Sequence, residues 1–415
     1  MRPPNPTAEE QPSAATVAPP HPSMLFLGLL VAVTALGPLS MQIFVPSLPA
    51  IQQGFAVTAG TAQLVLSLSL AAIAVATLGY GPLADRHGRR PVMIVGIVLF
   101  LIGSVVCTVA PSIEVLILGR ILQAAGGAAG MVLGRAMVRD LYDRDESARV
   151  IAYLTMAMVV APMMAPAIGG VLNDLIGWRA NFAFVAAVGL AVAALVLVRL
   201  PETRPGSRGD TAFAMLRGFV CLLRTPTFCG YAFQAAFSIA TFMTFIAGSP
   251  YVMVRVFERP ATEYGLWFIT ISASFMAGNF VAARNTRRVG LDRMIVLGSL
   301  VALLGTLAGV GLVAAGIWSP AALFLPAMVF AFANGFAIPN AQAGAVSVDP
   351  SIAGAASGLS GFLQMAISAV AAQVIGALQD GTPYPLALQM TAMAALALAA
   401  IAVPVWLNRR RAKRA

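Results

Sequence analysis

The sequence contains few charged residues for its length. Only 10% of its 415 residues are Asp, Glu, Lys or Arg, against about 25% in soluble proteins, while 59% are apolar. A water-soluble fold of this size needs a polar surface that this composition does not supply. The shortage excludes a soluble enzyme, a secreted domain and a nucleic-acid-binding protein, and it indicates a protein that crosses a membrane many times.

Cysteine and lysine are also scarce. The cysteines Cys107, Cys221 and Cys229 are too few and too unevenly spaced for a disulfide framework or a zinc site. Lys413 is the only lysine, so the chain lacks the pattern G-x-x-x-x-G-K-[ST] of an ATP-driven pump. No His or carboxylate is predicted in the middle of a span, which argues against a membrane-embedded enzyme. We therefore expect no metal and no cofactor.

Long apolar runs dominate the rest of the chain. A helix needs about 20 apolar residues to cross the hydrocarbon core. The fold class predicted is an all-α membrane protein, because twelve such runs occur between charged or Pro/Gly-rich breaks. They lie near residues 24–46, 59–81, 91–110, 114–136, 148–173, 181–200, 228–250, 263–284, 292–316, 320–341, 353–378 and 384–406.

The longest polar break falls between the sixth and seventh spans and divides them into two halves. The proline-rich start of the chain is predicted to be disordered. Within the break, the amphipathic stretch from Ala212 to Leu223 is predicted to be a helix on the membrane surface. The predicted parts are a cytoplasmic tail 1–23, a six-helix half 24–200, a cytoplasmic linker 201–227, a second six-helix half 228–407 and a basic cytoplasmic tail 408–415.

Basic residues predict the orientation. With a cytoplasmic N-terminus, 22 of the 26 basic residues fall on the cytoplasmic side. Only Arg179, Arg255 and Arg259 fall outside, and Arg120 lies within a span. Positive residues favour the cytoplasmic side, so both termini are predicted to be cytoplasmic. The net charge of +10 thus marks a membrane leaflet, and no nucleic-acid partner is expected.

Two loops resemble each other at equivalent places in the two halves. GRRPVMIVG at 88–96 lies between spans 2 and 3, and GLDRMIVLG at 290–298 lies between spans 8 and 9. This similarity favours a two-fold repeat. Parallel six-span repeats with a substrate site between them are typical of the major facilitator fold.

The first of these loops belongs to the segment GPLADRHGRRP at 81–91, which resembles the major facilitator signature G-x-L-a-D-r-x-G-r-r/k. Glycine allows close helix packing or a tight turn, and the arginines are predicted to pair with Asp140 and Asp143 at the end of span 4. An alternative is a positive anchor without a gating role. The predicted conformational gate consists of Gly81, Asp85, Arg86, Gly88, Arg89, Arg90 and Asp140.

Span 5 contains APMMAPAIGG at 161–170, which resembles the antiporter signature G-x-x-x-G-P-x-x-G-G with Ala161 and Ala165 in place of two glycines. Proline bends a membrane helix, and small residues let a neighbouring helix approach. The resemblance favours export over uptake. It assigns this motif to Pro162, Pro166, Gly169 and Gly170.

Stretches at 36–51, 134–140 and 246–252 extend the resemblance to multidrug transporters of the bicyclomycin/chloramphenicol-resistance type, over residues from about 25 to 405. The resemblance implies a monomer in the bacterial inner membrane that exports small amphipathic drugs or toxic compounds by alternating access. It also implies that inward proton flow provides the energy. The alternatives left open are export of a small metabolite such as an amino acid or sugar, and a facilitator without proton coupling.

One departure from that family concerns proton coupling. Gln42 stands where the family usually has a span 1 acid, and an amide does not titrate. Arg120 is the only ionisable residue predicted at mid-span, where a charge normally faces a cavity or a partner. It is predicted either to couple transport or to donate to backbone carbonyls and polar groups of span 1. Glu114, and after it Asp380, are the rim acids predicted to replace the missing carboxylate.

Aromatic rings and amides within the spans suggest a substrate cavity for flat apolar or weakly cationic molecules. Phe233, Phe237 and Phe245 recur at spacings of four and eight, which predicts one face of span 7. The alternative is that these rings face lipid or pack in the core. The predicted cavity residues are Gln42, Phe44, Gln63, Phe233, Phe237, Phe245, Asn334, Asn340 and Gln364.

Overall fold

The computed structural model describes residues 24–204 and 211–412. All regular structure in these ranges is helical. The prediction for the tail at 1–23 lies outside the described residues. The α-helices are α1 (Met24–Gln42), α2 (Leu48–Gly54), α3 (Ala59–His87), α4 (Arg89–Val109), α5 (Ile113–Leu141), α6 (Arg144–Leu175), α7 (Arg179–Arg199), α8 (Thr211–Leu223), α9 (Pro226–Tyr251), α10 (Ala261–Val289), α11 (Leu291–Ala314), α12 (Pro320–Ser347), α13 (Ala353–Leu378) and α14 (Tyr384–Ala412).

Within the described ranges, twelve helical segments are long and apolar enough to cross a membrane, as the sequence predicts. The first span differs from its prediction because it continues to Gly54. It consists of α1, a 3₁₀ turn at Val45–Ser47 and α2. Pro46 and Pro49 each stand near the start of a new helical element, where proline's missing N–H costs no hydrogen bond.

Helix α8 forms where the amphipathic stretch of the linker predicts a helix. Leu222 is buried in a cluster with Phe228 and Leu359, while Arg217 is exposed. The apolar face of this helix therefore packs against α9 and α13.

The two six-span halves repeat the same backbone devices. Gly88 joins α3 to α4 with φ of 96°, and Gly290 joins α10 to α11 with φ of 93°, a region that L side chains rarely adopt. A Cβ on Gly96 would lie 2.3 Å from Cβ of Ala129, and one on Gly298 would lie 2.7 Å from Cβ of Ala337. The loop similarity at 88–96 and 290–298 thus corresponds to equivalent turns and equivalent close packing.

The halves pack against each other at one end of the bundle, where residues 55–58, 110–112 and 257–260 lie; we call it the far end. There α3 packs against α13, α6 packs against α10, and the turn at Val45–Ser47 with α2 lies beside α9. A Cβ on Gly60 of α3 would lie 3.5 Å from the Cα of Ala377 in α13. The far end is therefore closed.

The opposite end carries the turns at residues 88–90 and 290–293, and we call it the arginine end. Gly79 and Gly81 of α3 have no atom within 4 Å of the position that a Cβ would take. The same holds for Gly354, Gly358 and Gly361 of α13. The α3–α13 contact is thus tight at the far end, whereas these glycines at the arginine end meet no neighbouring helix, and we take the arginine end as the open one.

Candidate functional site

Three helix ends meet in an ionic cluster at the arginine end. The guanidinium of Arg89, at the start of α4, lies 3.0 Å from Asp85 Oδ1 at the end of α3 and 3.1 Å from Asp140 Oδ2 at the end of α5. The Arg89 side chain is only 8% exposed, so water screens this triad poorly. The predicted pairing of Arg89 with Asp140 is present, and Asp85 joins it.

The first turn of α4 is capped by Glu202, which lies in the linker just after the sixth span. Glu202 Oε1 accepts from the backbone N–H of Arg89 at 2.9 Å, and Oε2 accepts from that of Arg90 at 3.1 Å. A carboxylate here satisfies free N–H groups and opposes the positive end of the helix dipole. Thr203 also donates to Asp140, at 3.2 Å, so the linker is fixed to the ionic cluster.

Glu202 was not among the predicted site residues, and the predicted pairing of the arginines with Asp143 is wrong. Arg90 does not pair with Asp143 but donates to the backbone oxygen of Leu197 at 3.1 Å. Asp143 instead caps its own helix by accepting from Glu146 N–H at 2.9 Å, because an Asp immediately before a helix lies within reach of that amide. The sequence feature that could have indicated this cap is the position of an acidic residue, Glu202, directly after span 6.

In this conformation, two further residues of the predicted gate, Arg86 and Gly81, make no close contact that would support a gating role. Arg86 is exposed. Gly81, predicted to allow close helix packing, has no atom within 4 Å of the position that a Cβ would take. The described ionic cluster and its cap therefore lie entirely within the N-terminal half and its linker.

The proline–glycine motif of α6 packs closely against the end of the first span and against α10 of the other half. A Cβ on Gly169 would lie 1.7 Å from the backbone oxygen of Ile43, and one on Gly170 would lie 2.5 Å from that of Ala261 in the other half. Gly265 of α10 approaches the backbone oxygen of Pro166 in the same way, at 2.4 Å. The predicted close packing is present, and Pro162 lies one turn before Pro166 in the continuous helix α6.

Arg120 is fully buried in the N-terminal half, and its described partners are neutral. Its Nη1 donates to the backbone oxygen of Ser40 at 3.1 Å and to Gln123 Oε1, and its Nη2 donates to Met41 Sδ at 3.2 Å. Its guanidinium carbon lies 4.1 Å from the centre of the Phe44 ring, a cation–π contact. This geometry matches the alternative in which Arg120 donates to backbone and polar groups of span 1.

The two rim acids are separate from Arg120 and from the space between the halves. Glu114 is exposed in the first turn of α5. Asp380 Oδ1 accepts from the N–H and the hydroxyl of Thr382 in its own loop, at 2.9 and 2.7 Å. Neither has a described bond to the other half.

The nine predicted cavity residues do not form one lining. Phe233 and Phe237 are half-buried and stack with ring centres 6.1 Å apart. Phe245 is fully buried against Phe324 and Phe330, which corrects the prediction of one face. Eight residues turn a helix by two full turns and about 80°, so Phe245 points elsewhere.

Phe44 also lies in the core, because its ring fills the space between Arg120 and Phe182. Gln42 and Gln63 are buried, and Gln42 Oε1 and Gln63 Nε2 have no partner among the described residues. Gln63 lies against Gly376 of the other half. These two amides retain unused hydrogen-bonding capacity near the contact between the halves.

The remaining amides are bonded within the C-terminal half. Asn334 donates to the backbone oxygen of Ser238 at 3.1 Å, and Asn340 donates to that of Phe336 at 2.7 Å. Gln364 accepts from Gln342 at 3.2 Å and donates to Ser360 at 3.0 Å. In this conformation these amides stabilise helices and helix pairs of the C-terminal half.

The fold and this site define a class: a transporter of two repeated six-span halves that open at one end. The family model of the major facilitator superfamily matches residues 30–372. The chain belongs to this superfamily. It is therefore a membrane protein with several spans and a transporter rather than an enzyme.

Curated relatives match nearly the whole chain. It is 31% identical to multidrug resistance protein D of Escherichia coli, over 89% of this chain and 92% of that one. It is 26% identical to the bicyclomycin resistance protein homolog of Haemophilus influenzae, over 91% of this chain and 94% of that one.

A solved structure of a POT family transporter matches with a TM-score of 0.76 at 13% identity, over 92% of this chain and 96% of that one. This likeness concerns the fold alone.

Proposed function

We propose that the protein exports small amphipathic drugs or toxic compounds across the bacterial inner membrane by alternating access. The single observation that carries this proposal is the difference between the two ends of the bundle. Molecules enter from the arginine end, which is open, and leave when the far end opens. The matches to two drug-resistance proteins support drugs as the substrate class.

We place the arginine end, with both chain termini, in the cytoplasm, since the sequence predicts 22 of the 26 basic residues for the cytoplasmic side. Entry from the cytoplasm makes the direction export. The protein works as a monomer in the lipid bilayer, without a cofactor and without a catalytic reaction.

The test of this function is drug susceptibility in a host that lacks its main efflux systems. Expression of the chain raises the inhibitory concentration of several unrelated amphipathic drugs, and an uncoupler removes the protection. The matched control is Arg89→Ala at equal membrane abundance. Unchanged susceptibility to a broad drug panel, with normal membrane abundance of the wild type, contradicts the proposal.

We propose that inward proton flow drives export and that the coupling is weaker than in relatives with a span 1 acid, or is relocated to a rim carboxylate. Gln42 lacks a titratable proton, and the described spans hold no carboxylate beside Arg120. The same observation favours the second candidate function, a facilitator without proton coupling. The two candidates differ in whether a pH gradient concentrates the drug.

Drug uptake into inverted vesicles with an imposed pH gradient measures this coupling. We expect Gln42→Asp to increase the dependence on the gradient, because a carboxylate in a partly desolvated cavity titrates nearer to neutral pH. Glu114→Gln and Asp380→Asn test the rim acids. Strong coupling in the wild type that survives both rim substitutions together contradicts weakened or relocated coupling.

A further inference from the structure

Polar links join the two halves at the far end, one for each pair of facing helices. Gln373 of α13 bonds to α3, Asp174 of α6 bonds to Thr262 of α10, and Gln53 of α2 faces Arg255 beyond α9. These links lie at the closed end. The ionic cluster around Arg89 lies at the other end and does not join the halves in this conformation.

Gln373 makes the most buried of these links. Its Nε2 donates to the backbone oxygen of Gly60 at 3.0 Å, and its Oε1 accepts from the Ser67 hydroxyl at 2.7 Å. Ser67 is only 4% exposed. Both ends of one amide are therefore satisfied by the opposite half, and both bonds break together when the halves separate here.

Glycine makes this contact close enough for the amide to bridge it. Gly376 lies one turn beyond Gln373 on α13, and a Cβ there would lie 2.4 Å from Cβ of Gln63. A larger residue would push α13 away from α3. The small contact at Gly376 thus holds the Gln373 amide within reach of the α3 backbone.

Asp174 makes the charged link. Its Oδ2 accepts from the N–H of Thr262 at 2.8 Å and from the Thr262 hydroxyl at 2.7 Å. The α10 N-cap residue is Pro260, which supplies no side-chain cap, so the cap of this helix comes from the other half. Asp174 is exposed, and water therefore offsets part of its contribution.

Gln53 and Arg255 make the third link. With its amide oxygen turned toward Arg255, Gln53 accepts from Nη1 at 2.7 Å and from Nη2 at 3.0 Å. Both side chains are exposed, so this link contributes least.

We propose that Gln373 is a gating residue that keeps the far end closed through Gly60 and Ser67, with the Asp174–Thr262 cap as a second latch. In the closed state the Gln373 bonds are shielded from water, whereas water already competes for the partners of the exposed Asp174 carboxylate. The Gln373 link therefore sets the balance between the two open states. The proposal rests on the alternating-access part of the proposed function and needs no assumption about the substrate or the protons.

Spin labels at the far end measure this balance directly. Val109 at the end of α4 and Ile317 beyond α11 are exposed at 68% and 50%, belong to different halves and take no part in the links. Each is replaced by cysteine in a chain whose three native cysteines are changed to serine. Double electron–electron resonance spectroscopy of the labelled pair, in lipid nanodiscs and without drug, then gives the distance distribution across the far end.

We expect Gln373→Leu to raise the ratio of the long-distance to the short-distance population about tenfold, because two hydrogen bonds across the halves are lost. Ser67→Ala removes one bond and raises the ratio about threefold. Asp174→Asn has a smaller effect. The matched control is Gln389→Leu, since the described bonds of Gln389, to Thr244 and Ala371, lie within its own half, and its distribution stays unchanged.

An unchanged distribution in folded, monodisperse Gln373→Leu overturns the proposal. If that variant does not fold, an unchanged distribution in Ser67→Ala overturns it instead. An equal shift in Gln389→Leu also overturns it, because the effect would then reflect general loosening. Failure of drug export in cells leaves this measurement intact, so the two proposals fail separately.

Discussion

The middle of the N-terminal half holds a charge, whereas the described middle of the C-terminal half holds amides, hydroxyls and aromatic rings. Arg120 is buried among neutral partners in the first half. In the second, Gln234 donates to the hydroxyls of Ser238 and Ser299, both at 3.0 Å. Eight rings of the same half pack together, with neighbouring centres 5.4–6.2 Å apart: Phe242, Phe245, Tyr264, Trp267, Phe268, Phe275, Phe324 and Phe330.

The arginine end differs between the halves in the same way. The N-terminal half has the ion pairs of Arg89, and its α4 is capped by Glu202. At the equivalent place in the C-terminal half, Asp292 accepts from Tyr231 at 2.5 Å and from Asn408 at 3.0 Å, both neutral groups. The two halves thus share turns and glycine contacts but differ in side-chain chemistry. Equivalent substitutions in the two halves should therefore have unequal effects.

The largest difference is expected in the two cores. Arg120→Ala removes the donor to the Ser40 carbonyl and to Gln123 Oε1, abolishes export and lowers the free energy of unfolding by about 3 kcal/mol. Arg120→Lys restores part of the activity, since an ammonium lacks the planar fork of donors. Gln234→Ala in the other half costs about 1–2 kcal/mol. Export assays and thermal unfolding in detergent compare the three variants, and full activity of a stable Arg120→Ala protein contradicts this ranking.

A smaller effect is expected from the arginines at the end of the bundle. Arg89→Ala leaves Asp85 and Asp140 close together without their partner, so export falls about tenfold while the protein still inserts. Arg293, near the start of α11, is exposed, and Arg293→Ala changes export by less than about twofold. Export rates are normalised to membrane abundance. Equal losses in the two variants would show that the ionic cluster has no special role.

The two turn glycines test the cap. Gly88→Ala and Gly290→Ala both force positive φ on a residue with a Cβ, which costs about 1–2 kcal/mol. A Cβ at Gly88 would also lie 2.7 Å from Glu202 Oε2, whereas one at Gly290 meets no atom within 4 Å. Gly88→Ala should therefore cost about 1 kcal/mol more, through the weakened cap. Melting temperatures that fall equally would contradict a stabilising role for Glu202.

The smallest effect is expected at Asp292. Asp292→Asn keeps one acceptor for the Tyr231 hydroxyl but places an amide N–H₂ against Asn408, so about 1 kcal/mol of stability is lost. Export changes by less than about twofold. A thermal shift together with a susceptibility assay measures both quantities. A loss of export as large as that of Arg89→Ala would make Asp292 a second gate.

The sequence predicts the spans well because the bilayer fixes their apolar length. The predicted bounds of the eleventh span, 353–378, coincide with those of α13. The first span extends beyond its predicted end because Val45–Ser47 and α2 continue it past Pro46. Within the site, Arg89 and Asp140 were predictable from a local signature, since the motif places them at facing helix ends.

Contacts between distant segments could not be predicted in this way. Gln373 is separated by 313 residues from Gly60, and Glu202 by 113 from Arg89. Nothing in the local pattern links the members of either pair, and both bonds depend on how helices pack. Phe245 shows the same limit at short range, because its burial follows from the rotation of α9 and from two rings on α12.

The central claim is that the two halves alternate between two open states and that the ionic cluster of the N-terminal half controls this movement. Substrate counterflow in proteoliposomes tests this claim most directly. Purified protein is reconstituted with an amphipathic drug inside, and entry of the labelled drug is followed without any pH gradient. We predict rapid exchange for the wild type and for Arg293→Ala, and about tenfold slower exchange for Arg89→Ala. Exchange no faster than in empty liposomes for every amphipathic drug tested, or equal rates for the two arginine variants, would contradict the account.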